Sequence, residues 1–224
     1  MKRTLQITED GSHTFYVPEI DEHFHSTHGA IQESKHIFIN TGFNLMDKTT
    51  LNIFEVGFGT GLNAWLTLIE AQLKDTKVNY FGIEKHPLTP TEYQQLNYAK
   101  PFDEGHNEHF LKLHQCPWNE TAQLTTNFQL TKFQTDILLF DLDTIPLIDL
   151  IYFDAFAPNK QPEIWDFSLF EKLYKHCKPG AVLVTYCAKG EVRRNIQKAG
   201  FIVERLAGPP GKREILRGIK PLST

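Results

Sequence analysis

Two things are scarce in this 224-residue chain: cysteine and long apolar runs. Its three cysteines, Cys116, Cys177 and Cys187, are too few and too scattered for a disulfide framework or a zinc site, so we expect reduced, mostly buried thiols. No run approaches the roughly 18 apolar residues of a membrane-spanning helix, and residues 1–6 lack the apolar core of a signal peptide. We therefore expect a cytoplasmic protein without membrane contact. The length fits one domain with at most a small extension.

A strong positive charge is also missing from the chain as a whole, because the formal net charge is −4. This balance argues against a grossly basic nucleic-acid-binding protein. The charge is distributed unevenly, however. Residues 171–224 contain twelve Lys/Arg and four Glu, a net charge of +8, whereas residues 1–170 carry a net charge of −12. Such polarity indicates a basic face for a polyanion, although helix faces exposed to water would give the same count.

What the sequence does contain is an apolar strand that runs into three alternating glycines, Gly57, Gly59 and Gly61, before a helical pattern. Glycine lets the chain turn tightly and leaves no Cβ in the way of a ligand. The spacing differs from the dinucleotide fingerprint G-x-G-x-x-G, because the third glycine comes one residue early. Glu55 would repel a pyrophosphate but can accept hydrogen bonds from a cationic amino-acid head group. The segment resembles the E/D-x-G-x-G-x-G motif of class I S-adenosylmethionine (SAM)-dependent methyltransferases.

Turn and capping signals predict how the chain is organised around this motif. Asp10-Gly11 between two alternating segments predicts an N-terminal two-stranded β-ribbon. Capping boxes predict one helix that begins at Thr89 and runs to about Ala99, and a second that begins at Ser168. Residues 100–125 show no clear periodicity.

The remaining periodicity predicts strands that alternate with helices. After the strand before the glycines, we predict strands at 78–83, 128–133, 149–154, 181–186, 201–207 and 213–219. This order is typical of an α/β fold with a doubly wound, seven-stranded sheet whose last strand is antiparallel, the Rossmann-like fold of class I methyltransferases. We expect residues 1–40 to form the β-ribbon extension and residues 41–224 the methyltransferase domain.

Acidic side chains follow the predicted strands at the edge where α/β sheets bind ligands. Glu84 lies twenty-three residues after Gly61, close to the spacing at which an acidic residue takes ribose hydroxyls. Asp136 can accept a hydrogen bond from an adenine amino group, while Ile137 packs on the face of the adenine ring. Converging carboxylates repel one another unless a cation and donors offset them, and SAM has both. We therefore predict a SAM site formed by Glu55, Gly57, Gly59, Gly61, Glu84, Asp136, Ile137 and Asp154.

The residues after the fourth predicted strand, Asp154-Ala155-Phe156-Ala157-Pro158, resemble the carboxylate or amide, aromatic and proline that amine methyltransferases of several kinds have at this place. A nitrogen nucleophile needs its lone pair aimed at the methyl carbon, so positioning dominates such a reaction. An alkylamine is largely protonated at neutral pH, and Asp154 can hold the ammonium and accept a hydrogen bond or proton. Phe156 can wall the site and favour a cation through its π face, although core packing would explain Phe156 and Trp165 equally well. We predict Asp154 as catalytic and leave open whether it removes a proton or only orients the amine.

Residues 154–165 read D-A-F-A-P-x-K-x-P-E-x-W, and residues 211–214 read G-K-R-E. Together with 29–38 and 189–194, these motifs closely resemble the methyltransferase half of the MnmC family, whose stand-alone form is called MnmD. The resemblance covers nearly the whole chain. It implies transfer of a methyl group from SAM to the aminomethyl substituent on C5 of a transfer-RNA wobble uridine, often 2-thiolated, giving methylaminomethyl. Because the chain ends at Thr224 with no room for the FAD-dependent domain of bifunctional members, we expect no FAD and a precursor made by another enzyme.

Basic residues near the later strand ends are candidate contacts for RNA. Phosphate contacts would position the anticodon loop of the tRNA, and the flipped-out wobble base would enter the pocket beside Asp154. With Phe156, the predicted substrate-binding residues are Lys189, Arg193, Arg194, Lys212 and Arg213. We expect tRNA as the partner, no obligate protein partner and a monomer.

Three other interpretations stay open. An aminopropyltransferase of the spermidine-synthase kind shares the fold and the acidic amine pocket, but it needs further acidic residues for a polyamine, and the basic C-terminal segment argues against it. Another small-molecule amine methyltransferase is the second. A SAM- or RNA-binding module without turnover is the third, and it predicts that Asp154→Ala leaves function intact.

His23, His25 and His28 form an H-x-H-x-x-H pattern, but they lack matched further ligands, so we expect no metal.

Overall fold

The computed structural model describes residues 1–100 and 104–222. The first forty residues contain a three-stranded antiparallel sheet and a helical segment. Their elements are β1 (Thr4–Ile7), β2 (His13–Val17), β3 (Glu22–His23), α1 (Ala30–Ser34) and a π-helical turn (Lys35–Asn40). The pairing of β1 with β2 confirms the predicted hairpin, and β3 adds a third strand. Phe15 and Phe38 share one core with Leu51 of the main sheet, while the domain boundary near residue 40 stays a prediction.

The main sheet has eight strands in the order β10-β11-β9-β8-β4-β5-β7-β6. They are β4 (Thr50–Val56), β5 (Lys77–Glu84), β6 (Thr121–Thr125), β7 (Phe128–Gln134), β8 (Ile148–Phe153), β9 (Cys177–Thr185), β10 (Ile202–Ala207) and β11 (Glu214–Ile219). The five central strands β9, β8, β4, β5 and β7 are parallel, and the outer pairs are antiparallel. The chain order reverses at β4, which lies between β5 and β8. This switch point is where ligands bind in folds of this kind.

Helices cover both faces of the sheet. They are α2 (Leu62–Leu73), α3 (Pro90–Tyr93), α4 (Glu104–Gln115), α5 (Phe167–Lys175) and α6 (Gly190–Ala199), with short 3-10 turns at Phe43–Leu45, Leu142–Thr144 and Pro162–Trp165. Alternate residues of the buried strands enter two separate cores. In β8, Leu150 and Tyr152 pack with α2, whereas Ile151 and Phe153 pack with α5 and α6. Strand β8 is therefore apolar on both faces, as expected for a central strand of a parallel sheet.

The predicted doubly wound α/β fold is confirmed, but its strand number was wrong. Seven strands match the predicted ones in order, and the eighth, β6, lies in the segment without periodicity. It is a largely exposed edge strand that pairs with β7, for example Thr121 with Thr131, so it carries no continuous apolar pattern.

Two helix predictions also need correction. The capping box at Thr89 is present, but α3 ends after one turn, because the chain then docks on the hairpin through Asn97, whose side chain bonds the backbone of Gly11 and His13. The other capping box does not form. Asp166 caps α5 instead, by accepting a hydrogen bond from the backbone N–H of Ser168.

All three cysteines are free, and Cys177 and Cys187 are buried, which agrees with the expected reduced thiols. In the part of the chain that the structure describes, no helix combines the length and hydropathy needed to cross a bilayer.

Candidate active site

The three glycines form the turn between β4 and α2. Gly57, Gly59 and Gly61 have φ values of +89°, +49° and +70°, a region in which other residues are strained. A Cβ on Gly57 would lie 2.5 Å from the backbone oxygen of Asp154, and a Cβ on Gly59 would lie 3.1 Å from the ring of Phe24. Glycine is therefore required both for the turn and for the close approach of β4 to the end of β8.

A cavity of about 410 Å³ lies beyond the carboxyl ends of β4, β5, β7 and β8. Its position is that of the ligand sites in doubly wound sheets, and its volume is typical of small-molecule sites. The predicted residues that line it are Gly57, Gly59, Glu84, Asp136, Ile137, Asp154, Phe156 and Lys212. Glu55 and Gly61 lie behind this lining. The structure therefore brings most of the predicted cofactor residues to one place.

Asn63, at the second residue of α2, connects two of the carboxylates. Its Nδ2 donates to Oε1 of Glu55 (2.9 Å) and to Oδ2 of Asp154 (2.8 Å), while the Tyr80 hydroxyl donates to Oε2 of Glu55 (2.9 Å). Glu55 is fully buried, and burial raises its pKa well above the ordinary value. Direct contact of Glu55 with a ligand was expected, but the structure places the carboxylate behind Asn63. Asn63 lines the cavity, and its Oδ1 has no hydrogen-bond partner among the described residues.

Asp154 follows β8 and reaches the cavity next to the glycine turn. Burial and the negative charge of Glu33 raise the pKa of its carboxyl to about 7, while the Asn63 hydrogen bond and the Lys212 ammonium oppose this shift. Glu33 comes from α1; its Oε2 accepts from the backbone N–H of Ser26 (2.8 Å), and its Oε1 lies 3.3 Å from Nζ of Lys212. A carboxyl that titrates near neutral pH can exchange a proton with a ligand.

Glu84 and Asp136 line another part of the cavity. Glu84 accepts hydrogen bonds from the backbone N–H groups of Gly59 (3.0 Å) and His86 (2.8 Å). These bonds fix the carboxylate against the glycine turn. Asp136 pairs with the Lys85 ammonium at 2.9 Å, and this hydrogen bond lowers the pKa of Asp136. Ile137 is buried and adds an apolar surface to the same region.

The loop after β3 covers the cavity from the N-terminal side. Phe24 packs edge-on against Phe156 with ring centroids 5.2 Å apart, and the Arg3 guanidinium lies 5.6 Å from the centre of the Phe24 ring. Nε2 of His25 lies 2.6 Å from Oγ1 of Thr60 in the glycine turn. Burial lowers the pKa of His25 to about 4, so the imidazole is neutral. The N-terminal part therefore supplies one wall of the site.

The predicted RNA-binding residues divide into two groups. Lys212 lines the cavity, whereas Lys189, Arg193, Arg194 and Arg213 lie outside its lining. Lys189, Arg194 and Arg213 are exposed. The structure therefore brings one of these five basic side chains into the site and leaves the other four outside the cavity.

The three histidines of the H-x-H-x-x-H pattern have separate partners. Nε2 of His23 lies 2.9 Å from Oε1 of Gln6, and Nδ1 of His28 lies 3.0 Å from Oε1 of Glu9. The His25 ring faces the glycine turn, as described above. Over residues 1–100 and 104–222, no three His, Cys, Asp or Glu side chains are arranged to hold a metal ion.

Sequence reasoning missed several side chains of the site, namely Arg3, Phe24, Glu33, Asn63 and Tyr186. Asn63 left a signal, because it is a polar residue in the first turn of an otherwise apolar helix and its partner Glu55 lies eight residues earlier. The others come from segments that are distant in sequence. Only the folded chain brings them to the cavity.

Comparison with known proteins shows the class. Residues 101–221 match the model of a family described as S-adenosyl-L-methionine-dependent methyltransferase. The chain belongs to this family. The family match defines the class of protein as a SAM-dependent methyltransferase.

The more specific likeness is to MnmC proteins. The chain is 34% identical over 213 residues to the tRNA 5-methylaminomethyl-2-thiouridine biosynthesis bifunctional protein MnmC of Ectopseudomonas mendocina, with 88% of this chain and 32% of the relative covered. The corresponding protein of Pseudoalteromonas atlantica is 30% identical over 96% of this chain and 33% of the relative. This chain thus spans about a third of the length of the curated relatives it matches. The predicted resemblance to the methyltransferase portion of MnmC is confirmed.

A solved structure shares the fold. The crystal structure of MnmC2 from Aquifex aeolicus superposes with a TM-score of 0.81 and 23% sequence identity, covering 100% of this chain and 72% of the other. At this level of identity the match supports the class I methyltransferase architecture rather than any particular side chain.

Proposed function

We propose that this protein methylates the C5-aminomethyl group of a transfer-RNA wobble uridine, often 2-thiolated, with SAM as the methyl donor. The names of its MnmC relatives, which specify tRNA 5-methylaminomethyl-2-thiouridine biosynthesis, support the substrate. One structural observation carries the amine chemistry: the Asp154 carboxyl lies in the cavity, held by Asn63, where burial and the charge of Glu33 raise its pKa to about 7. A carboxyl of that pKa is matched to hold an alkylammonium and to take a proton from it.

The cavity residues fit SAM. The glycine turn leaves room for a ligand where a side chain would collide, and Oδ1 of Asn63 is an acceptor that lacks a partner among the described residues. In the proposal, Asn63 receives the amino-acid part of the cofactor, and Glu55 acts by fixing Asn63. Glu84 takes the ribose hydroxyls, and Asp136 with Ile137 takes the adenine. When bound, SAM supplies a methyl group on a sulfonium that an amine lone pair can attack.

Asp154 is proposed to prepare the amine. The substrate arrives as an ammonium, and its nitrogen has no free lone pair until one N–H proton leaves. The Asn63 amide already occupies Oδ2 of Asp154, so the carboxylate is fixed in orientation and its other oxygen is available to the ammonium. Proton transfer to Asp154 frees the lone pair. Phe156, held edge-on by Phe24, walls this part of the cavity.

The RNA is proposed to bind through the basic C-terminal residues. Lys189, Arg193, Arg194 and Arg213 would contact anticodon-loop phosphates, and such contacts position RNA without reading its sequence. Lys212, at the cavity, would be nearest to the reacting base. In this proposal the protein acts as a monomer in the cytoplasm, and residues 1–40 form an extension of the methyltransferase domain.

The test uses purified protein, labelled SAM and tRNA from cells that accumulate the aminomethyl intermediate. We expect label in the tRNA with wild-type protein and none with Asp154→Ala. In calorimetry, Gly59→Trp should abolish SAM binding, because the new side chain fills the glycine turn beside the cavity; circular dichroism checks that the variant, although strained at this φ, is folded. Unchanged SAM affinity of this variant would put the cofactor elsewhere.

The same assay separates the alternatives. Transfer of an aminopropyl group from decarboxylated SAM to putrescine would identify an aminopropyltransferase. Methylation of free amines but not of tRNA would identify a small-molecule amine methyltransferase. SAM or RNA binding without any transfer, unaffected by Asp154→Ala, would identify a binding module.

A further inference from the structure

Lys212 lies in an environment that is specific for an ammonium group. Its Nζ lies 3.3 Å from Oε1 of Glu33 and 4.9 Å from the centre of the Tyr186 ring. A carboxylate together with the face of an aromatic ring is a common way of binding cationic nitrogen. Lys212 also lies close enough to Asp154 to act on its charge.

The two partners of the Lys212 ammonium are rigidly held. Glu33 is 8% exposed, and its other oxygen accepts the backbone N–H of Ser26 at 2.8 Å. The Tyr186 hydroxyl donates to the backbone oxygen of Ala155 at 2.8 Å, which fixes the ring. Lys212, by contrast, enters from the turn between β10 and β11 on a flexible side chain. The site is therefore preformed, and its present occupant can leave.

The position of this site suggests what else it can bind. Glu33, Tyr186 and Lys212 all line the same cavity as Asp154. The negative charge of Glu33 acts on Asp154, because together with burial it raises the pKa of that carboxyl. A substrate that carries its own ammonium group to Asp154 therefore comes within the field of Glu33.

We propose that Glu33 and the ring of Tyr186 form the subsite for the ammonium of the amine substrate, and that the Lys212 ammonium occupies this subsite until the substrate displaces it. This inference rests on the proposed function, because it requires an amine as the acceptor. It adds Glu33 as a substrate-binding carboxylate beside Asp154. It also gives Lys212 two positions: on Glu33 in the free protein, and released from Glu33 when the substrate is bound.

The exchange gives a reason for the position of the Lys212 ammonium beside Glu33 and Asp154, in a cavity that Arg3 and Lys85 also line. Without a cation, the negative charges of Glu33 and Asp154 would repel each other with only hydrogen bonds to offset them, which is costly for partly buried carboxylates. Lys212 supplies that cation when no substrate is present. A uridine without the aminomethyl group cannot replace it, so the exchange favours the modified base over the unmodified one.

The test compares two anticodon stem-loop RNAs that differ at one position, with 5-aminomethyluridine or unmodified uridine at the wobble base. Affinity for each is measured by calorimetry with the intact protein, and the ratio of the two affinities reports recognition of the amine. We expect Glu33→Gln to lower this ratio about tenfold, because the amide keeps the shape and loses the charge. We expect Lys212→Met to raise the ratio by a similar factor, because the competing ammonium is gone. Such factors are ordinary for a charge-assisted contact.

Several outcomes overturn the inference. An unchanged ratio in Glu33→Gln means that Glu33 does not bind the amine. Equal weakening of both RNAs by Lys212→Met, with the ratio unchanged, means that Lys212 is a phosphate contact only. Glu171→Gln and Lys175→Met, an exposed ion pair on α5, are the matched controls and should leave the ratio at the wild-type value. If wild-type protein neither methylates the aminomethyl RNA nor prefers it, the proposed function fails and this inference fails with it. Methylation by wild type with an unchanged ratio in Glu33→Gln rejects the subsite alone.

Discussion

Replacement of Asp154 by asparagine should make the free protein more stable while it removes the proposed catalytic base. The carboxyl of Asp154 has a pKa of about 7 in the folded protein against an ordinary value of 3.8. Between these two values the folded state holds a proton that the unfolded state has lost. Folding stability therefore falls as the pH rises through this window, because burial desolvates the ionised carboxylate of Asp154 and the negative charge of Glu33 lies near it. An asparagine has no charge to lose, and its amide oxygen can still accept the hydrogen bond from Asn63.

The shift sets the size of the effect. A pKa difference of about three units corresponds to about 4 kcal/mol in the free energy of unfolding when no water screens the charge. Asp154 is partly open to the cavity, so water screens some of this, and we expect about 2 kcal/mol at pH 8. For a chain of this length that is a rise in melting temperature of roughly 4–8 °C. The gain should vanish toward about pH 4, where both proteins are neutral at this position.

Thermal melts of wild type and Asp154→Asn at several pH values, without cofactor, measure the effect. Asp47→Asn, at an exposed position, is the control and should not change the melting temperature at either end of the range. A gain that is absent at pH 8, or that is equal at low and high pH, would refute the argument that Asp154 is held in an unfavourable ionised state.

Three further outcomes follow from the site. The rate of methyl transfer should rise with pH through an apparent pKa of about 7. Glu33→Gln should shift this rise to lower pH, because it removes a like charge near Asp154. The pH profiles of kcat/KM for wild type and variant test both expectations. Asn63→Leu should destabilise the fold by about 3 kcal/mol and abolish SAM binding in calorimetry, since it removes the donor that Glu55 and Asp154 share; wild-type affinity would contradict it. Gly57→Ala should lower the melting temperature much more than Gly11→Ala, because a Cβ at Gly57 meets a backbone oxygen at 2.5 Å whereas a Cβ at Gly11 meets nothing within 4 Å; equal losses would show that only the positive φ matters.

The fold could be predicted from the sequence wherever burial leaves a local pattern. The central strands β4 and β8 are buried on both faces, and the glycine turn is short and specific, so these segments can be predicted from local sequence. The edge strand β6 and the short length of helix α3 could not be predicted in this way, because both depend on contacts with segments elsewhere in the fold. Thr121 pairs across to Thr131, and Asn97 binds a hairpin more than eighty residues earlier.

The site shows the same division. Residues at the ends of strands, such as Glu84 and Asp154, were predictable because parallel strands bring their carboxyl ends to one edge. Glu33 was not, since its segment precedes the methyltransferase sheet and only the packing of α1 turns it toward the cavity. The displacement of Glu55 from the lining could not be read either, because it follows from a hydrogen bond to a helix residue whose orientation the sequence does not show.

The central claim is that an aminomethyl group on the wobble uridine receives the methyl group, with Asp154 as its proton acceptor. Mass analysis of the wobble nucleoside, before and after incubation of aminomethyl tRNA with protein and SAM, tests it most directly. The account predicts that the nucleoside gains one methyl group on the aminomethyl nitrogen with wild type and gains none with Asp154→Asn. A wobble nucleoside of unchanged mass with wild type, or a methyl group found on another nucleoside, would contradict it.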